Sequence, residues 1–264
     1  MKIIFYKYQC TGNDFIIIDN RNLKFPYNKI LIKKLCNRRT DIGADGLILI
    51  EDHKDYDFEM KYFNSDGTGN MMCGNGGRCA VAFAKHQGII NKNETKFIVA
   101  NKKYFAGIIK TLKNSSEIAL KFNDINNVKI YDDHYVLDTG APHYVKFVSD
   151  LENYDVYHKG KDIRFNDEFK EKGINVDFVE RNKNRLFVRT YERGVENETL
   201  SCGTGVVASA IAAHLYSKYS KFLSYNIKTL GGILKVKFNK ISDKFVDIYL
   251  EGPSTFVYKG EIDI

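Results

Sequence analysis

Landmarks in the first half of this chain return 128–130 positions later, so whatever fold one half adopts, the other is expected to adopt as well. Cys73-Gly74-Asn75-Gly76 is answered by Cys202-Gly203-Thr204-Gly205, and Thr11-Gly12-Asn13-Asp14-Phe15 by Thr139-Gly140-Ala141-Pro142-His143. Ile42-Gly43-Ala44-Asp45 matches Lys172-Gly173-Ile174-Asn175, and the strand-like runs 58–63 and 118–122 match 186–191 and 246–250. Single glycines and alternating apolar runs are common, but an offset held along the chain is not. It reads as a duplicated domain, with no shorter solenoid period. At 264 residues the chain has room for two domains of ordinary size, each able to bury a core. The first half is placed at 1–122, with a strand at 255–264 returning to it, and the second at 123–254. Asn123-Asp124-Ile125-Asn126-Asn127 marks the crossing.

Apolar runs at 15–19 and 46–51, bounded by polar residues or Gly, predict buried strands, and 97–99, 107–109 and 118–122 predict further short ones. Ile30, Leu31 and Leu35 predict a helix over 28–37. The strongest helical stretches, 78–84 and 206–213, each follow a Cys-Gly loop. The fold class is therefore α+β: two pseudo-symmetric domains, each with many strands wrapped about one apolar helix.

Several function classes are disfavoured. The apolar run at 3–6 is too short for a signal sequence, and no stretch approaches the roughly 18 apolar residues of a membrane span. Five cysteines give an odd count without a disulfide framework, which suits a reduced, cytoplasmic protein. The net charge of +7 comes from lysines scattered among Asn, Asp and Glu, not from the stripe a nucleic-acid binder would carry. No Cys-x-x-Cys is present, so no zinc site and no other metal is expected. Gly74-Asn75-Gly76-Gly77-Arg78-Cys79 has Cys where a dinucleotide fingerprint needs its third Gly or Ala, and no phosphate-binding Gly-Lys-Ser/Thr occurs.

The chemistry centres on Cys73 and Cys202. A lone cysteine is more often an inert small hydrophobe than a reactive thiol. Here each precedes Gly-x-Gly and a helical stretch, where bared N–H groups and the macrodipole stabilise a thiolate or an anionic ligand. Two thiols, one per half, suit moving a proton from one face of a carbon to the other. The α-carbanion of an amino acid is very basic, and helix N-termini aimed at its carboxylate would stabilise the developing charge without a cofactor. One thiol must begin protonated and the other not, so their environments must differ. His143 and Glu192 are candidate modulators. Asn13, Asn64, Asn175 and Arg193 are candidates for an amino acid's polar groups, with Arg193 able to read a carboxylate bidentately. A solvated His and a surface Glu-Arg pair are the plain alternatives.

These residues together resemble the diaminopimelate epimerase family. The likeness runs in order through Lys7-Tyr8-Gln9-Cys10-Thr11-Gly12-Asn13-Asp14-Phe15, Asp45-Gly46, Phe63-Asn64-Ser65-Asp66-Gly67, Cys73-Gly74-Asn75-Gly76-Gly77-Arg78-Cys79, Gly173-Ile174-Asn175-Val176, Tyr191-Glu192-Arg193-Gly194 and the Cys202 loop. It implies cofactor-free interconversion of LL- and meso-diaminopimelate, in lysine and peptidoglycan-precursor synthesis. It further implies two domains, each a barrel-like shell around a central helix, with the site in the cleft between them, and a homodimer. By the same likeness, Cys73 is the base for one isomer and Cys202 the proton donor, tuned by His143 and Glu192. Asn13, Asn64, Asn175, Glu192 and Arg193 would bind the substrate's polar groups. Gly74-Asn75 and Gly203-Thr204 would hold its reacting carboxylate. Gln9-Cys10 departs from the family's usual His-Gly, Gly46 from the Gln of some members, and Ala141 from the Asn usual before Pro-His. A proline racemase of the same architecture, a basic binding protein with structural cysteines, and a thiol redox protein remain the rival readings.

Overall fold

The computed structural model describes residues 1–69, 72–217 and 221–264. The chain divides into two compact units, Met1–Leu120 with Gly252–Ile264, and Lys121–Glu251.

The first unit runs β1 (Lys2–Cys10), β2 (Asn13–Asp19), α1 (Lys29–Leu35), β3 (Gly46–Glu51), β4 (Phe58–Asn64), α2 (Gly74–His86), β5 (Glu94–Val99), β6 (Lys102–Thr111) and β7 (Ser115–Lys121). The second continues with β8 (Val128–Ile130), β9 (Tyr135–Asp138), β10 (Pro142–Phe147), α3 (Val156–Arg164), β11 (Asn175–Asn182), β12 (Arg185–Glu192), β13 (Asn197–Thr199), α4 (Gly203–Tyr216), β14 (Ser224–Thr229) and β15 (Gly232–Ile241). The last strand, β16 (Lys244–Asp263), is 20 residues long and contributes one stretch to each unit.

In the first unit β1 to β7 follow one another in the sheet, and the second stretch of β16 pairs with both β7 and β1. Eight strands thus close into a barrel with no free edge. The second unit repeats the order as β8, β9, β10, β11, β12, β14, β15 and the first stretch of β16, with β13 branching from β12. An Ile125↔Phe245 bridge joins the segment ahead of β8 to β16.

The duplication reaches the pairing pattern itself. β2 with β3 and β4 with β5 are parallel, as are β10 with β11 and β12 with β14. Parallel neighbours need a crossover, and each is supplied by one helix: α1, α2, α3 and α4 in turn. This makes several strands apolar on both faces. On β2 and β3, Ile16, Ile18, Leu47 and Leu49 pack with Ile32 and Leu35 of α1. Ile17 and Ile48 lie fully buried on the other face, where Ile48 Cδ1 comes close to Gly76 of α2. On β11, Val176 and Phe178 join the cluster of α3, while Val179 joins that of α4.

The helix α4 is buried at every position described from Gly203 to Ala213 apart from Thr204, which suits a helix lined all round by strands. Each of its Val and Ile side chains stabilises the fold by about 1.5–3 kcal/mol on burial. Both inner helices begin earlier than the sequence pattern predicts. The Cys-Gly runs are not loops; their glycines form the first helical turns, and Cys73 and Cys202 are the N-cap residues. A Cβ on Gly205 would sit 2.3 Å from Asp177 Oδ1, and one on Gly77 2.4 Å from Met72 Cε. These glycines permit close approach. No helix among the described residues is long and apolar enough to cross a membrane.

Candidate active site

In the second unit the site is assembled where β10, β11 and β12 meet the start of α4. His143 pairs with Asn175 across the parallel β10–β11 ladder, and Asp177 pairs with Thr190 across the antiparallel β11–β12 ladder. Because side chains alternate along a strand, Asn175 and Asp177 share the face of Val179, which looks toward α4. His143 and Asp177 are both fully buried.

The hydrogen bonds form one connected chain. His143 Nδ1 lies 2.6 Å from Asp177 Oδ2, and His143 Nε2 lies 2.8 Å from Thr204 Oγ1. Thr204 Oγ1 is in turn 3.4 Å from Cys202 Sγ. Thr190 donates to the other Asp177 oxygen at 2.7 Å, and Thr139 donates to the Thr204 carbonyl at 2.9 Å. Asn175 accepts from the Arg193 backbone N–H at 2.9 Å and donates to the Pro142 carbonyl at 3.3 Å. Thr199 donates to Glu192 Oε2 at 3.0 Å. Burial, then the negative charges of Glu192 and Asp177, push the Cys202 thiol well above its ordinary range, against the lowering effect of Thr204 and the Gly205 N–H. At neutral pH Cys202 is a thiol. The Arg193 stem lies across Gly173, whose positive φ and missing Cβ both permit this, and its guanidinium donates to the Lys172 carbonyl at 3.0 Å.

In the first unit the corresponding elements are β2, β3, β4 and the start of α2. The Gly76 N–H donates to Cys73 Sγ at 3.4 Å, so the sulfur itself caps the helix. Asn75 donates to Asn13 Oδ1 at 3.1 Å, Asn13 donates to Asp45 Oδ2 at 2.7 Å, and Arg78 donates to Asn75 Oδ1 at 2.8 Å. Arg78 is fully buried, its guanidinium held by the Gly74 carbonyl and Asn75 of its own helix and by Cys10 of β1. Asn64, at the end of β4, accepts from Tyr62 Oη at 2.7 Å and donates to Thr68 Oγ1 at 3.2 Å. A Cβ at Gly46 would meet the Tyr62 ring and the Phe63 carbonyl at 2.6 Å, so the residue that orients Asn64 also occupies the space of a larger side chain there.

The predicted residues thus fall into two groups. Asn13, Asn64, Cys73, Gly74 and Asn75 belong to the first unit, with Asn13 and Asn75 joined directly. His143, Asn175, Glu192, Arg193, Cys202, Gly203 and Thr204 belong to the second, with His143, Thr204 and Cys202 in one hydrogen-bonded chain. Asp177, Thr139, Thr190 and Thr199 escaped the sequence reading. Only Asp177 carried a signal: a charge two residues after Asn175, on the same face of an otherwise apolar run. Cys10, standing where the family often has glycine, places its sulfur 3.1 Å from that of Cys79 in the buried interior. Among the described residues, no group of three or more His, Cys, Asp or Glu is arranged to hold a metal ion.

A family model described as "Diaminopimelate epimerase" matches residues 5–104 and 135–257. The chain is 48% identical to a diaminopimelate epimerase of Flavobacterium psychrophilum over 260 residues, covering 97% of this chain and 99% of that one. It is 42% identical to the enzyme of the same name from Chlorobaculum tepidum over 261 residues, covering 96% and 99%. Among solved structures, a PhzF-family phenazine biosynthesis protein of Bacillus anthracis matches over the whole of both chains with a TM-score of 0.74 at 14% identity. A hydroxyproline epimerase from Agrobacterium vitis matches over 99% of this chain and 92% of that one, with a TM-score of 0.69 at 12% identity. At such identities the likeness is one of fold.

Proposed function

Since the chain belongs to the diaminopimelate epimerase family and is an epimerase, we propose that it interconverts LL- and meso-2,6-diaminopimelate by passing a proton between Cys73 and Cys202. No cofactor is needed, and the meso isomer feeds lysine and peptidoglycan-precursor synthesis. The observation that carries this reading is that the two cysteines cap the two inner helices in unlike surroundings. Cys73 accepts an N–H, a role a thiolate fills better than a thiol. Cys202 is held protonated by burial and by Glu192 and Asp177.

From one isomer, Cys73 removes the α-proton as the electron pair moves onto carbon and its carboxylate. Cys202 then delivers its own proton to the opposite face. The N–H groups at Gly74-Asn75 and Gly203-Thr204 stabilise the charge that develops on the carboxylate. Asn13, Asn64, Asn175, Glu192 and Arg193 bind the remaining polar groups, and His143 and Glu192 tune the thiols. A homodimer accompanies this reading on the family likeness alone, and a cytoplasmic location on the cysteines without a disulfide framework.

The test is incubation of reduced protein with LL-diaminopimelate in D₂O. Meso product carrying one α-deuterium is expected, and Cys73→Ala or Cys202→Ala lowers turnover by about 10² or more with an unchanged circular-dichroism spectrum. Turnover at the wild-type rate in either variant removes the two-thiol mechanism. Exchange with proline but not with diaminopimelate replaces the substrate.

A further inference from the structure

We propose that Asp177 is a positioning residue that, through His143 and Thr204, gives Cys202 an internal place to put its proton. The inference rests on Cys202 being one of the two reacting thiols. An ionised carboxylate can only accept, so Asp177 Oδ2 at 2.6 Å fixes the hydrogen of His143 on Nδ1 and leaves Nε2 as an acceptor, which the Asn175 amide also faces at 3.4 Å. Thr204 then donates to Nε2 at 2.8 Å, and its oxygen is left to accept from the Cys202 thiol at 3.4 Å. Asp177, with the shorter contact, sets this polarity, and the longer Asn175 contact at Nε2 agrees with it. That carboxylate is itself held by Thr190 at 2.7 Å, in a space open only because residue 205 lacks a Cβ.

The chain has a use in the direction in which Cys202 must act as the base, where Cys73 first takes a proton from solvent and His143 returns one to solvent after turnover. The S–H bond breaks as its proton moves to Thr204 Oγ1, while the original Thr204 proton moves to His143 Nε2. The sulfur keeps its electron pair as thiolate, and the imidazolium formed is paired with Asp177. No charge is created overall, which matters in a site where burial and Glu192 oppose a bare thiolate. The titratable groups bearing on the chain are Asp177 on β11, His143 on β10, Glu192 on β12 and Cys202 at the cap of α4, with Arg193 reaching Asn175 through its backbone.

The experiment uses the full-length protein without substrate. Alkylation of Cys202 by iodoacetamide is followed against pH by peptide mass mapping, and the His143 tautomer is read from imidazole ¹⁵N shifts. In Asp177→Asn the amide N–H faces Nδ1, so the hydrogen is expected to move to Nε2. Cys202 alkylation should slow by about 10-fold or more at fixed pH. Loss of the Asp177 charge alone works in the opposite sense, easing ionisation and speeding alkylation. A faster or unchanged rate therefore overturns the proposal, as does an unmoved tautomer. If Asp177→Asn does not fold, Thr204→Val carries the test, slowing alkylation with the tautomer intact, while Thr204→Ser restores the rate. Equal alkylation in the Val and Ser variants sinks the relay. Epimerisation should fall equally in both directions in Asp177→Asn, because the equilibrium constant is fixed by the substrates. A wild-type protein that does not epimerise at all counts against the reaction, whereas an unaltered Cys202 profile counts against the relay.

Discussion

At the scale of single residues, the cysteines show how one side-chain type takes different characters from its surroundings. Burial pushes Cys36 up to about 12, and burial together with the neighbouring Cys10 sulfur pushes Cys79 well upward. Cys202 is raised by burial and two carboxylates. Cys10 goes the other way: burial opposes its charge, but the Cys79 hydrogen bond and the Arg78 charge outweigh that and hold it at about 7. A thiol raised in the native state keeps a proton that the unfolded chain releases, so its contribution is lost as pH rises past the unfolded value of about 8.5. Native stability should therefore fall between pH 9 and 10.5, most steeply in this protein where three thiols share one sign. Urea titrations across that range measure it, and a flat or rising curve contradicts the assignment. Below pH 9 the Cys10 contribution has the opposite sign and partly offsets the others.

Among the elements, close approach decides more than propensity. Gly160 lies inside α3, where alanine would ordinarily stabilise a helix by about 1 kcal/mol. A Cβ there would stand 2.4 Å from the Cβ of Tyr191 on β12, a side chain fully buried and held in the strand ladder. Gly160→Ala is expected to destabilise by about 1–3 kcal/mol, read as a lower urea midpoint at unchanged slope. A gain in stability would mean that α3 can lift from the strand. The same reasoning accounts for the glycines at the starts of α2 and α4, which a reading by periodicity assigns to loops. The 3.6-residue pattern carries no signal over residues without side chains, and only the neighbours' positions show that the helix has begun.

For the molecule as a whole, the decisive element is β16. Residues 252–255 pair with β7 and residues 255–263 with β1, closing the first unit. Truncation after Glu251 leaves β1 and β7 as long unpaired edges of an opened barrel. The truncated chain should lose its cooperative unfolding transition or aggregate, as measured by circular dichroism and light scattering. A monomeric truncated protein with an unshifted melting temperature would mean that β16 is dispensable to the first unit.

Local chemistry and the constant offset sufficed for the duplication, the α+β class, the doubly buried strands and the two inner helices. These features are written in short-range patterns: apolar runs, glycine punctuation, and a spacing repeated along the chain. A strand at 255–264 returning to the first half was expected, but the two neighbours it joins and the Asp177–His143–Thr204 chain were not available at that level. His143 and Asp177 are 34 residues apart, and His143 and Thr204 are 61 apart. Nothing in the period of a strand says which other strand it will lie beside. That neighbour is chosen when crossover helices and ladder register are satisfied together, and only then do a histidine, an aspartate and a threonine from three elements become one hydrogen-bonded unit.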